Sequence, residues 1–312
     1  MKSIGKKILI GICILAVIVG GGYMYLLGCI GMGPLHFMGY NRKPFQIGTE
    51  QNSYSEITFE IGPEGEMIRG MYYAPDDIRQ DSHMVIISHG YNSSARLLAS
   101  KAKSLAQAGI PALVYDFRGG SSHSLSDGES IDLSVSTETS DLNAVIAYVK
   151  TIDFVDERKI CLLGESFGGL ITAHVSANRD DINKIVLCFP AFHAPESSRT
   201  GFASKDEIPE SIRSMGLKTG RKFWSELYDM DIYKEIPSYK GEVLIFHGTE
   251  DPAVDPAYSR KAVSLYRNAK LVIIDGAGHG FNGKDEIDVY TQILEYLKEE
   301  KHSYGQNKEI LH

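Results

Sequence analysis

Lys159-Ile160-Cys161-Leu162-Leu163-Gly164-Glu165-Ser166-Phe167-Gly168-Gly169-Leu170 is the stretch whose reading decides the fold. A strand-like apolar run, Lys159 to Leu163, enters a Gly-x-Ser-x-Gly turn, and a helix-like run from Leu170 to Asn178 leaves it. A turn of this kind between strand and helix strains the serine backbone and lifts its Oγ above the edge of a sheet. The flanking glycines let strand and helix approach where a Cβ would clash. Ser166 is therefore the candidate nucleophile.

Working outward from the turn, strands and helices alternate. Upstream, Tyr54 to Ile61 and Met67 to Ala74 alternate apolar and polar residues around Gly62-Pro63-Glu64-Gly65, the pattern of a hairpin. Met84 to Ser88 and Ala112 to Tyr115 read as buried strands, with an amphipathic helix from Arg96 to Ala108 between them. Thr137 to Ile152 carries Leu142, Val145, Ile146 and Val149 at helical spacing. Downstream follow strands at Lys184 to Phe189, Val243 to Phe246 and Lys270 to Ile274, and helices at Pro256 to Asn268 and Asp285 to Lys301. Such alternation implies a mostly parallel sheet with helices on both faces. The opening hairpin adds an antiparallel edge. Residues 190–240 break the rhythm without a clear strand and read as a small, partly helical cap rich in aromatics, among them Phe192, Phe223 and Trp224.

A serine hydroxyl needs a base, and the base an orienting acid. His279 lies in the glycine-rich loop Gly276-Ala277-Gly278-His279-Gly280 just after a strand. Asp251 is the best acid, in His247-Gly248-Thr249-Glu250-Asp251 after another strand, with Glu250 and Asp255 as fallbacks. The chain order Ser166, Asp251, His279 is that of α/β-hydrolases, and all three follow strands, at the sheet's carboxyl end. Two backbone amides are needed for an oxyanion. Phe167 supplies one, and Tyr91, in His89-Gly90-Tyr91-Asn92, the other. His89 is expected to brace that loop, and Asp116 and Arg118 to form a buried ion pair holding the next one.

With these residues in place, the chain from 54 to 301 resembles the α/β-hydrolase superfamily. Within it, the resemblance is to the esterase/lipase branch of cinnamoyl and feruloyl esterases, monoacylglycerol lipases and serine aminopeptidase-type hydrolases. It rests on Ser88-His89-Gly90-Tyr91, Tyr115-Asp116-Phe117-Arg118-Gly119, the Ser166 turn, His247 to Asp251 and Gly278-His279-Gly280-Phe281. Gly119-Gly120-Ser121 stands where such enzymes often carry Gly-His-Gly before a serine. The resemblance implies the fold and the triad but not a substrate.

Ile8 to Asn41 contains no charged residue, and Lys2, Lys6 and Lys7 precede it. Twenty residues, Ile8 to Leu27, reach roughly 30 Å as a helix, the thickness of a bilayer's hydrocarbon core. The lysines keep the amino terminus cytoplasmic and place the rest outside. The expectation is an uncleaved single-pass anchor within residues 1–31, followed by a linker over 32–53. The alternative is a lipoprotein signal, because Leu26-Leu27-Gly28-Cys29 resembles a lipobox. Residues 302–312 read as a C-terminal tail.

The formal net charge is −8, and beyond the first 41 residues it is −11, which speaks against a nucleic-acid partner. No Cys-x-x-Cys or His-Glu-x-x-His pattern occurs, so neither zinc nor a disulfide framework is expected, and the chemistry needs no cofactor. The expected activity is hydrolysis of a small carboxylic ester with an apolar acyl or aryl group, through an acyl-enzyme on Ser166. A peptidase of the same fold is the alternative, with Glu207 or Glu210 as groups that could meet a free amino terminus. A catalytically silent, membrane-tethered binding module is the lesser one.

Overall fold

The computed structural model describes residues 42–62, 65–78, 82–299 and 308–311. The expected anchor, the lipobox cysteine Cys29 and the start of the linker lie outside these residues. Among the described residues no helix is long and apolar enough to cross a membrane.

The hairpin forms as β1 (Tyr54–Ile61) and β2 (Ile68–Pro75), paired residue for residue from Tyr54↔Pro75 to Ile61↔Ile68. Then come β3 (Met84–Ser88), α1 (Ala95–Gln107), β4 (Ala112–Tyr115), α2 (Val135–Val149), β5 (Ile160–Glu165), α3 (Phe167–Ala177) and β6 (Lys184–Cys188). The cap holds α4 (Ala194–Gly201), the hairpin strands β7 (Ser211–Ser214) and β8 (Leu217–Gly220), α5 (Arg221–Asp229) and α6 (Ile232–Glu235). The alternation resumes with β9 (Glu242–Gly248), α7 (Ala257–Leu265), β10 (Ala269–Ile274), α8 (Lys284–Lys298) and β11 (Lys308–Leu311).

Among the described residues nine strands form one sheet in the order β1-β2-β4-β3-β5-β6-β9-β10-β11. Pairing is antiparallel at β1–β2 and β2–β4 and parallel from β4 onward. The central strands are apolar on both sides because each face is covered. Ile86, Leu113, Leu162, Ile185 and Ile245 join one core with α2, α3 and the cap. Their neighbours Val85, Val114, Leu163, Val186 and Phe246 join the other, with α1 and α8. Each such side chain, fully withdrawn from water, contributes about 1.5–3 kcal/mol. Cys161 and Cys188 are free thiols in these cores, and burial raises the Cys161 thiol to about 12.

Three features depart from the sequence reading. The cap contains a two-stranded sheet where no strand was legible. Residues 308–311, read as tail, pair in parallel with β10 as the ninth strand of the main sheet. The end of the linker packs on the domain: Ile47 is buried, and the Phe45 amide donates to Ser104 Oγ at 2.9 Å.

Candidate active site

Ser166 stands between β5 and α3 with φ 52° and ψ −117°, a backbone state that a residue with a Cβ holds only when its surroundings impose it. The constraints are visible. The Ser166 amide donates to Cys188 O at 3.0 Å, and its carbonyl accepts from Gly169, Leu170 and Ala191. A Cβ at Gly164 would lie 2.4 Å from Gly168 O, and one at Gly168 would lie 2.4 Å from His89 O. Strand, helix and the β3 loop thus touch backbone to backbone, and the serine has no other path between them.

Two further loops are locked together beside it. Thr249 donates its amide to Ile274 O and Glu250 to Ala277 O, tying the turn after β9 to the turn after β10. This brings Asp251 under His279. His279 Nε2 lies 2.9 Å from Ser166 Oγ, and its Nδ1 lies 2.7 Å from Asp251 Oδ2. In the tautomer this contact set selects, Nδ1–H donates to Asp251 and Nε2 accepts from the serine hydroxyl. The edge of the Phe189 ring holds the imidazole, with centroids 4.7 Å apart.

The Asp251 side chain is fully buried. Burial alone would raise its pKa, but contacts from His247 and His279 and the Val254 amide outweigh it and hold the carboxyl well below its usual range. Its Oδ1 accepts from the amides of Ala253 and Val254 at 2.8 and 2.9 Å. The fallback acids Glu250 and Asp255 are exposed, and Asp255 Oδ1 is taken by the Ala257 amide. His247 sits behind the acid rather than beside the serine. Its Nδ1 meets Ser259 Oγ at 2.7 Å and its Nε2 donates to Val254 O at 2.9 Å.

The β3 loop runs close to Ser166: a Cβ on Gly90 would lie 3.0 Å from Ser166 Cβ. That places Tyr91 next to Ser166 on one side and Phe167 next to it on the other. The Phe167 amide belongs to the first turn of α3, where a helix offers no internal acceptor. His89 is buried, its Nδ1 2.8 Å from Gly90 O while Nε2 accepts from the Phe117 amide at 3.1 Å. Both ring nitrogens are spent on bracing, and burial lowers its pKa.

The expected Asp116–Arg118 pair is corrected. Arg118 turns to Asp141 on α2, with Nε 2.6 Å from Oδ1 and its amide 2.8 Å from Oδ2. Asp116 instead accepts from the amides of Ala95, at the start of α1, and Leu125. The open N–H groups of a helix end claimed the carboxylate before the guanidinium could.

The cap packs a buried aromatic cluster against Tyr91 and Phe167. Phe223 lies 5.3 Å from Phe167 and 5.7 Å from Tyr91, centroid to centroid, and Trp224 packs on Phe223 at 5.4 Å. Glu207 and Glu210, considered for an amino terminus, are both exposed, and Glu210 pairs with Arg221. A separate open cleft of about 380 Å³, between Val135, His174, Glu226 and Glu235, is bordered by none of Ser166, Asp251 and His279.

Sequence reasoning missed the partner of Glu165. This residue, the variable position before the serine, is buried against Lys101 Nζ at 2.5 Å. An acid inside the turn motif was a visible signal; a lysine on the inner face of α1 was not.

A model of the prolyl oligopeptidase family matches residues 97–303, two thirds of the sequence. The chain belongs to that family. Sequence relatives include polyketide synthase ThaQ of Burkholderia thailandensis, 27% identical over 45% of this chain and 9% of that one. Quorum-quenching protein AidA of Acinetobacter baumannii is 26% identical over 46% of this chain and 56% of its own. The chain thus spans only part of either relative. Among solved structures, ferulic acid-bound Est1E of Butyrivibrio proteoclasticus superposes with a TM-score of 0.70 at 25% identity, covering 77% of this chain and 98% of Est1E. The fold is that of the α/β-hydrolases, and the chain falls in that superfamily.

Proposed function

We propose that this protein is a serine hydrolase that cleaves carboxylic esters through an acyl-enzyme on Ser166. The observation that carries the reading is the continuous relay Ser166 Oγ–His279–Asp251, with both hydrogen bonds at 2.9 Å or less. In the first half-reaction His279 Nε2 takes the hydroxyl proton while Oγ attacks the acyl carbon. Asp251 stabilises the imidazolium without itself taking the proton. The amides of Tyr91 and Phe167 receive the charge on the carbonyl oxygen. The imidazolium then protonates the departing alcohol. In the second half-reaction His279 deprotonates water, which attacks the acyl carbon and returns Ser166 as the carboxylic acid leaves.

The preference for an ester with an aryl or apolar acyl group rests on the aromatic content of the cap, whose Phe223 packs on Phe167 and Tyr91, the residues adjoining the serine turn. The aromatic acid bound to Est1E is consistent with it. A peptidase activity is the second reading, favoured by the family match over residues 97–303. The anchor remains part of the proposal: the apolar run from Ile8 would hold the domain on the outer side of a membrane.

The test is to treat the full chain and its Ser166→Ala form with a fluorophosphonate probe, then compare acyl esters with aminoacyl amides. Labelling of the unmodified chain only, with ester turnover dominant, is expected. Absence of labelling would sink the hydrolase mechanism, and turnover of amides alone would replace ester by peptide. The mass of the membrane-extracted amino terminus distinguishes a retained Met1 from a lipidated Cys29.

A further inference from the structure

On the opposite face of the sheet from α2 and α3, three buried charges and one partly exposed one, alternating in sign, lie behind Ser166. Arg42 reaches both oxygens of Glu286, at 2.6 and 3.4 Å, and the Glu286 side chain is only 2% exposed. Lys101, on α1, reaches Glu165 at 2.5 Å, with both side chains close to 90% buried. Burial opposes the Lys101 charge, yet the carboxylates of Glu165 and Glu286 outweigh it and hold its pKa above the ordinary value. The set is electrically neutral: two cations and two carboxylates. Its outer member belongs to the segment that enters the domain, which is fixed there by the Phe45 amide on Ser104 and by the Phe45 ring, 5.5 Å from that of Tyr290.

The location gives this neutrality a chemical meaning. Glu165 directly precedes Ser166, one peptide or about 3.8 Å away along the chain. Its carbonyl also lies against the Gly90 loop that carries the Tyr91 amide. An uncompensated carboxylate there would oppose every negative charge that forms on a substrate oxygen. At an effective dielectric constant of about 20, a unit charge within about 10 Å of an oxyanion changes the rate by roughly tenfold or more.

We propose that Lys101, completed by Glu286 and Arg42, is a positioning residue for Ser166, cancelling the charge of the carboxylate beside the nucleophile so that the oxyanion forms in a neutral field. The inference rests on the serine-hydrolase reading of Ser166. It has a second consequence: Arg42 couples the entering segment to the reactive turn, so a change in how that segment is seated alters acylation without touching the substrate pocket.

The experiment measures the fluorophosphonate labelling rate of the full chain, and kcat and KM on a chromogenic acyl ester. It compares Lys101→Met, Glu165→Gln, the double variant, and Arg42→Met against Arg42→Lys. Lys101→Met leaves two carboxylates facing one arginine, and is expected to lower labelling and kcat about tenfold or more with KM nearly unchanged. The double variant restores neutrality through the Arg42–Glu286 pair and should recover to within about threefold of the unmodified chain, which a purely structural role of Lys101 would not produce. Arg42→Met should fall in the same direction by a smaller factor and be restored by Arg42→Lys.

A folded Lys101→Met labelled at the unmodified rate, or a double variant no faster than Lys101→Met, overturns the proposal. Should Lys101→Met fail to fold, Arg42→Met decides it, and an unmodified labelling rate there overturns it equally. An unmodified chain that never labels overturns the hydrolase reading itself, an outcome distinct from all of these.

Discussion

The carboxyl edge of the sheet and the cap above it are built by different rules. At the edge, each reactive side chain stands on a loop of a few residues pinned by its neighbours: Ser166 by Cys188 and Ala191, Asp251 by Ala253 and Val254, and the His279 loop by the turn after β9. In the cap, about fifty residues between β6 and β9, the β7–β8 ladder and the helices are local, and side chains join them, through the contacts among Phe202, Phe223 and Trp224 and the bond from Ser198 Oγ to Trp224 O. An edge fixed by backbone geometry sets what reaction is done. A cap fixed by side-chain packing is, under the proposed function, the part that can change without disturbing the chemistry.

The sharpest way to break this contrast is at the edge. Ser166→Ala should lower kcat by about 10⁴-fold or more, measured as ester turnover, while leaving the melting temperature close to that of the unmodified chain. Asp251→Asn should cost about 10³–10⁴-fold in kcat, because the wrong imidazole tautomer is then held, while Glu250→Gln and Asp255→Asn stay within about twofold. Equal losses at Asp255 would move the acid and undo the edge as described.

Gly168→Ala inserts a Cβ 2.4 Å from His89 O, with backbone on both sides, so no flexible side chain can yield. It should destabilise the domain by roughly 1–3 kcal/mol in thermal or urea unfolding. In the cap, Phe223→Ala removes a buried ring that touches Phe167 and Tyr91 but not the relay, and should destabilise the domain by about 3 kcal/mol in urea unfolding.

A pH-dependent effect comes from the sheet's amino end. Burial, with Lys184 adding to it, lowers the His83 pKa to about 4. A depressed histidine stabilises the fold fully above its unfolded value near 6.5, and that contribution drains away as pH falls from about 6.5 to about 4. The loss is at most about 3 kcal/mol, and His83→Phe should flatten the stability profile across that window without altering the pH dependence of kcat.

How much was legible follows the same division. The strands β3 to β6, β9 and β10 announce themselves because both sheet faces are covered, which forces unbroken apolar runs. The Ser166 turn was readable because close approach demands glycine at Gly164 and Gly168, a demand visible as letters. The cap hairpin was hidden for a reason of the same kind. Its two-residue turn is Met215-Gly216, with φ 46° and 84°, where Asn-Gly would have signalled it, and Ser211–Ser214 has little apolar alternation. Long-range choices were illegible altogether. Nothing near Arg118 says that Asp141, 23 residues on, will claim it, and nothing near Glu165 points back 64 residues to Lys101.

The two free thiols carry a consequence of their own. Cys161 and Cys188 lie in adjacent central strands, and burial keeps both protonated, Cys188 well above its ordinary value. A protonated, enclosed thiol is neither a partner for disulfide exchange nor a target for peroxide. With respect to its two core cysteines, the domain therefore has no redox state. Its chemistry should run unchanged under oxidising or reducing conditions, and a thiol-reactive probe that silenced it would have to act somewhere other than these strands.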